Sequence, residues 1–193
     1  PRPNADIYGA LMEGLTSKAD ELTVVSSFLQ RKFDGEILPH GADPEVFDPE
    51  KFDGEIWEEF DEVDDDKFKI VFTGTIRPHK GLDILAEAIK DLENIQVVLI
   101  GSDPSKLREE LDMSSNGKFI FLGSFDHSRM PEFLAGADSV VLPQKNRPFA
   151  QAQIPGKIYE AMAMGKPVIA SDVSDLSSML DDCGLVFEPE NAD

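Results

Sequence analysis

Cysteine is almost missing from this chain, with Cys183 the single one in 193 residues. That excludes a disulfide framework and fits a reducing, cytoplasmic setting. No metal-ligand spacing surrounds Cys183, which reads as an inert thiol. Long apolar runs are missing too. Nowhere do eighteen uninterrupted apolar residues occur, which excludes a membrane-spanning helix. The first residues, PRPNADIYGA, have neither the charged nor the apolar region of a secretory signal, and they lack an initiator Met. The chain therefore reads as a piece of something longer.

Bases are scarce. Eighteen Lys and Arg stand against 38 Asp and Glu, a formal net charge of −20. Such a body repels nucleic acid and anionic lipid, because neither gains from counterion release on it. A small anion can bind only where bases and helix N-termini gather, so each cluster of bases is informative. Familiar phosphate and nucleophile signatures are absent as well. No GxGxxG and no P-loop pattern occurs, which leaves dinucleotide oxidoreduction and ATP hydrolysis without local support. No Ser–His–Asp arrangement is legible, and His40, His79 and His127 read as isolated turn residues. His79, between Arg77 and Lys80, is the best placed of the three to touch a ligand.

What is present is regular. Apolar runs occur at 69–74 (KIVFTG), 96–102 (QVVLIGS), 118–124 (KFIFLGS), 139–143 (SVVLP), 167–171 (PVIAS) and 184–189 (GLVFEP). Each is short, rich in Val, Ile and Phe, and nearly continuous, as expected of strands buried on both faces. Helical stripes lie between them. They fall at Leu82, Leu85, Ala86, Ile89 and Leu92, then at Met130, Phe133 and Leu134, and last at Leu176, Met179 and Leu180. Asp103 and Pro104 open a further helix through Leu107 and Leu111. The alternation predicts an α/β fold with a doubly wound parallel sheet.

Ahead of it, residues 7–18 suit a short helix, 21–26 a strand, and 27–29 a helical turn. The stretch EILPHGADPEVFDPEKF, broken by Gly41, Pro44 and Pro49, reads as a connector between two domains. From Glu58 to Asp66 seven of nine residues are acidic. Their consecutive spacing favours a solvated loop over a carboxylate cage for a metal.

The chain is organised around residues 151–171, QAQIPGKIYEAMAMGKPVIAS. Pro155 suits the first turn of a helix, and Gly156 lets the backbone approach another group. Ile158, Ala161, Met162 and Gly165 recur on one face, with Tyr159 and Glu160 off it, and Gly165 closes the helix. A helix starting at such a loop offers free N–H groups and a positive dipole end to a phosphate, and Glu160 lies within reach of a sugar or ribose hydroxyl. An ordinary loop–helix–strand unit with a solvated glutamate fits the same residues. In doubly wound sheets ligands bind beyond the carboxyl ends of the strands. The first strand ends in Gly74 and Thr75, followed by Arg77 and Lys80 at a helix start, a pair suited to clamping a diphosphate. Lys145, Arg147 and Lys157 converge on the loop before Glu160.

In order and spacing these segments resemble the carboxyl-terminal half of GT-B fold retaining glycosyltransferases, family four or "group 1" type. ADELTVVSSFL is similar to the end of that family's first domain, LPHGADPEVF to its interdomain element, FTGTIRPHKGLDIL to its glycine, arginine and lysine segment, FLGS with FLAGADSVVLP to the region that follows, and KIYEAMAMGKPVIAS to its EAMA–GkPV signature. The resemblance implies that residues 1–41 are the tail of an acceptor domain with its linker and that 42–193 are a Rossmann-like donor-binding domain. It implies transfer of a sugar from a nucleoside-diphosphate sugar to a glycan, lipid or small-molecule acceptor, with retention, no metal and no cofactor.

By the same resemblance Lys80 contacts the donor phosphates, Glu160 the ribose, and the backbone from Pro155 through Gly156 and Lys157 to Ile158 receives the diphosphate. Ser124 lies by the base. Arg77 and Lys80, with the helix start, would stabilise the departing diphosphate. The sequence departs from the family at two points. The first acid of its E-x7-E motif is Ala152 here, and Thr75 stands where arginine is usual. The pattern Pro155-x-Lys157 resembles a subgroup that also lacks the first acid. A nucleotide-sugar epimerase of the same fold, or a nucleotide-sugar-binding module without catalysis, are the alternatives. The isolated chain is expected to bind nucleotide and to transfer no sugar at a useful rate.

Overall fold

The computed structural model describes residues 13–103 and 107–192. Its centre is a six-stranded sheet, all parallel, built from β3 (Phe68–Thr73), β4 (Ile95–Ile100), β5 (Phe119–Gly123), β6 (Ser139–Leu142), β7 (Val168–Ser171) and β8 (Gly184–Phe187). These are the six runs expected from sequence. The order across the sheet is β5-β4-β3-β6-β7-β8, so the chain winds outward from β3 in one direction and then from β6 in the other. That reversal is the switch point at which doubly wound sheets open a crevice.

The near-continuous apolar strands follow from two cores, one on each sheet face. Ile70, Phe72, Val97 and Leu99 face one core, and Val71, Val98 and Ile100 face the other. The first core is covered by α2 (Leu82–Ile89), through Leu82, Ala86 and Ile89, and by α3 (Arg108–Ser114), through Leu111. The second takes Phe133 and Leu134 of α4 (Met130–Ala135), Ile158 and Ala161 of α6 (Gly156–Ala163), and Leu176 of α7 (Leu176–Met179). A short α5 (Pro148–Gln151) precedes α6. Two of the stripe residues differ from expectation. Met162 and Leu92 are exposed, and Met164, just past α6, is buried instead. Gly165 does end α6. It sits at φ +64°, its N–H donates to the Met162 carbonyl, and the N–H of Lys166 donates to that of Ala161, a Schellman pair.

Ahead of the sheet, β1 (Thr23–Val24) and β2 (Glu36–Ile37) form a separate parallel pair around α1 (Ser27–Phe33). The strand expected over 21–26 shortens to two residues because Ser26 turns away to cap α1. Of the helix expected over 7–18, Thr16–Lys18 forms a 3₁₀ turn, and residues 7–12 lie outside the described residues. The helix start differs from expectation: Leu107, not Asp103, stands in the cap position, and the Asp103 carboxylate accepts from the N–H groups of Leu107 at 3.3 Å and Arg108 at 2.9 Å from outside the helix, while Pro104 lies outside the described residues.

The acidic stretch is held rather than free. The Phe60 ring packs on Phe125 and Phe133, Val63 is buried, and Gln96 bonds both the N–H and the carbonyl of Asp64. Among the described residues no group of three His, Cys, Asp or Glu side chains could hold a metal ion. No helix among them is long and apolar enough to cross a membrane.

Candidate functional site

At the switch point the glycine turn after β3 meets the start of α6. Gly74 follows β3 at φ +119°, a backbone conformation that side chains resist. A Cβ there would also stand 2.5 Å from the Lys157 ammonium. The space glycine leaves is thus taken by Lys157. From the first turn of α6, its Nζ donates to the carbonyl of Thr73 and lies 4.5 Å from the centre of the Phe72 ring.

Burial and the neighbouring Lys80 push the Lys157 pKa down to about 7, with Glu160 opposing them. Lys80 donates to Oε1 of the buried Gln144 at 3.2 Å, just past β6, and burial with the nearby Arg77 guanidinium lowers its pKa as well. Gly81 makes the turn into α2. At φ +71°, a Cβ on it would come within 1.7 Å of the Pro143 carbonyl, so only glycine brings the Lys80 loop this close to β6.

Neither lysine makes an ion pair with a described carboxylate. The other bases expected at this loop do. Lys145 reaches Asp83 at 2.6 Å, and Arg147 forms a bidentate pair with Glu190 at 2.7 and 2.9 Å. Those two are paired, so the charge here without a described carboxylate partner lies with Arg77, Lys80 and Lys157, the last about half protonated near pH 7. Arg77 is exposed and lines a small cleft with Pro78, Leu82 and Leu107, and its field reaches Lys80 and His79. It sits at the outer end of the row of charges, while Lys157 lies at the inner end. His79, ranked first among the histidines for a ligand, packs edge-on against Phe149 at 5.0 Å.

At α6, Pro155 stands in the cap position with no side chain bonded to the helix start, so the N–H groups of the first turn are free of a side-chain partner. Gly156 is exposed, and a Cβ on it would meet nothing within 4 Å. Ile158 is fully buried and anchors the turn. Glu160, one turn in, is partly exposed and accepts a hydrogen bond from His127 Nε2 at 3.1 Å. By sequence His127 is an isolated turn residue; 33 positions separate it from Glu160, and no local pattern links them.

Beside these residues two cavities open over the strand ends. One, of about 200 Å³, is lined by Gly74, Thr75, Ser102, Ser124, Phe125 and His127 among others. The other, of about 320 Å³, shares Ser102 and Ser124 and runs on to Arg108 and Phe121. Thr75 meets Ser102 Oγ at 3.5 Å. A larger hollow of about 410 Å³ lies elsewhere and is walled by Asp53, Glu55, Glu58, Glu59 and Glu132. That hollow repels anions. The strand-end crevice, with two unpaired ammonium groups and a helix start, attracts them.

Residues 67–193 match the family model described as glycosyl transferases group 1. An uncharacterized glycosyltransferase of Methanocaldococcus jannaschii is 31% identical over 139 residues, 68% of this chain and 34% of that protein. Among solved structures, sucrose-phosphate synthase from Thermosynechococcus elongatus superposes with TM-score 0.76 at 25% identity, over 95% of this chain and 49% of that one. Anabaena HepE, solved in complex with UDP and glucose, gives TM-score 0.73 at 19% identity, over 90% and 50%. The chain thus spans about a third of that curated relative and half of the solved neighbours. They share the doubly wound sheet.

Proposed function

Because the chain belongs to the group 1 glycosyl transferases, we propose that residues 42–193 are the donor-binding domain of a GT-B enzyme and that residues 1–41 are the end of its acceptor domain with the linker. The donor is a nucleoside-diphosphate sugar, and the sugar is transferred with retention and without a metal. The observation that carries this reading is the pair Lys80 and Lys157. Both ammonium groups stand at the switch point without a carboxylate partner, in a chain of net charge −20.

In the proposed arrangement the diphosphate lies between these two groups and the first-turn N–H groups of Gly156 and Lys157, while the Ile158 N–H closes the turn onto the Pro155 carbonyl at 3.1 Å. Arg77 adds positive field from outside through Lys80. As the bond from sugar to diphosphate breaks, negative charge grows on the leaving oxygen, and fixed cations with a helix dipole stabilise it without reorganising. A diphosphate needs no general acid to leave, and protein cations take the role a bridging metal would have. Glu160 accepts from the ribose. Gly74, Thr75 and Ser124 line the cavity that takes the nucleoside. The acceptor side of the cleft belongs to the other domain, so the chain alone binds donor and transfers nothing at a useful rate.

One observation favours a second reading, a nucleotide-sugar-binding module without catalysis. Ala152, where the family carries the first acid of E-x7-E, has no side chain to hold a sugar, and its carbonyl accepts from Ser26 at 3.4 Å.

Calorimetric titration with UDP, GDP and ADP, in the presence of a chelator, tests the proposal. UDP comes first because the HepE structure contains it. Micromolar binding of one diphosphate, tightened by its sugar, is expected. Binding that no sugar improves favours the module, and binding that requires a divalent cation contradicts the metal-free site.

A further inference from the structure

Glu160 does not stand alone in the free protein. Its Oε1 accepts from His127 Nε2 at 3.1 Å, and a carboxylate can only accept, so the ring carries its proton on Nε2. His127 comes from the turn after β5, 33 residues before Glu160, and lines the cavity of about 200 Å³ shared by Thr75, Ser102 and Ser124. Its ring is held from the other side. The buried Phe47 meets it edge-on with centroids 5.7 Å apart. Phe47 belongs to the stretch between the two-stranded pair and the six-stranded sheet. Three separate segments therefore meet at one imidazole, whose side chain is 68% exposed.

A carboxylate on a helix surface has free rotation about its last bonds and presents either oxygen to solvent. With Oε1 committed to His127, the other oxygen is left to accept from a ligand. Such a group distinguishes a ligand bearing a vicinal diol from one lacking a hydroxyl there, since an acceptor aimed at a missing partner goes unpaired.

We propose that His127 is a positioning residue for nucleoside recognition: it orients Glu160 and so sets the preference of the site for a ribonucleoside over a deoxyribonucleoside diphosphate. This rests on the donor-site reading above, in which Glu160 meets the ribose. The role passes through Glu160 and involves no bond-making step. Phe47 supports the same ring from the segment that leads to the other domain.

The test uses the 193-residue chain and calorimetric affinities for UDP, GDP and ADP beside their 2′-deoxy and 3′-deoxy counterparts. His127→Phe keeps an aromatic edge for Phe47 and removes the hydrogen bond, and His127→Gln restores a donor. Thermal melts establish that both variants fold. Wild type is expected to prefer the ribonucleotide. His127→Phe is expected to lose about five-fold in ribonucleotide affinity, with the deoxy forms nearly unchanged, so that the preference collapses; a typical net hydrogen bond is of that size. His127→Gln should recover most of it. If the preference is intact in His127→Phe, or if all nucleotides weaken equally, the positioning role is overturned while the donor site stands. If wild type binds none of the three diphosphates, the donor-site reading itself fails and this inference goes with it.

Discussion

The Lys157 ammonium donates to the carbonyl of Thr73, at the end of the strand where the sheet reverses direction, and it occupies the volume that a side chain on Gly74 would fill. One residue from α6 thereby plugs the crevice that two strands open. Desolvation of the ammonium, with Lys80 nearby, lowers its pKa to about 7. In the proposed site an arriving diphosphate would supply the missing counter-charge.

This sets a pH dependence for stability. Lys157 titrates at about 7 when folded, against the usual 10.5 of a lysine. Between those values the unfolded chain binds more protons than the folded one, so this group's contribution to stability rises with pH across that window and is lost as pH falls toward 7. Lys157→Met removes the titration. The difference in unfolding free energy, wild type minus Lys157→Met, is expected to increase from pH 7 to pH 10 in urea melts. A flat difference would show that the ammonium is solvated.

Two lysines near the same loop should behave differently. Lys80 is held by a neutral amide, Lys145 by the Asp83 carboxylate at 2.6 Å. Lys80→Met is expected to weaken nucleoside diphosphate binding by ten-fold or more, on the order of the 1.5–3 kcal/mol of a hydrogen bond to a charged group. Lys145→Met is expected to cost less than about three-fold, because its charge is already spent on the half-exposed Asp83 carboxylate. Titration calorimetry on both variants separates them.

Close approach at Gly81 makes it the least replaceable glycine near the site. Gly81→Ala forces a methyl into the Pro143 carbonyl and strains a residue at φ +71°. A loss of at least about 2 kcal/mol is expected from chemical denaturation, since a positive φ alone costs about 1–3 kcal/mol in a non-glycine residue. Gly156→Ala, with open space around its Cβ, should leave stability within about 1 kcal/mol.

Strand runs were legible because each residue type faces one of two cores, which leaves no polar alternation to blur them. Lys80 and Lys157 could be singled out because bases are rare in the chain. The pairing that decides which bases remain free could not. Arg147 meets Glu190 and Lys145 meets Asp83 across 43 and 62 positions, through the curvature of the sheet. Arg77 was expected to share a clamp with Lys80; the turn through Pro78 leaves it exposed beside α2 and α3, within electrostatic reach of Lys80. Met162 fell on the apolar stripe of α6 by spacing yet is exposed, and Met164, two residues on, is buried in its place. Neither His127 beside Glu160 nor Ser27 beside Asp175 has a local signal.

That last contact ties the leading segment to the sheet domain. The Asp175 carboxylate accepts from both the N–H and the hydroxyl of Ser27, capping α1 from 148 positions away, and Ser26 bonds the Ala152 carbonyl beside α5. Asp175→Ala is expected to cost about 1–2 kcal/mol, the usual loss for a helix cap. Amide exchange over residues 27–33 should rise more than exchange in β3 to β7. Uniform acceleration across the chain would mean that Asp175 supports the sheet and not α1.

The most direct test of the crevice as a diphosphate site is the titration of Lys157 itself, followed by NMR of the lysine side chains with and without saturating nucleoside diphosphate. The free protein should show one lysine titrating near pH 7, absent in Lys157→Met. Bound diphosphate should move that midpoint upward by about one unit or more, the shift expected when an opposite charge arrives within about 4–6 Å. A midpoint that stays in place while the nucleotide binds would put the phosphates elsewhere and contradict the site.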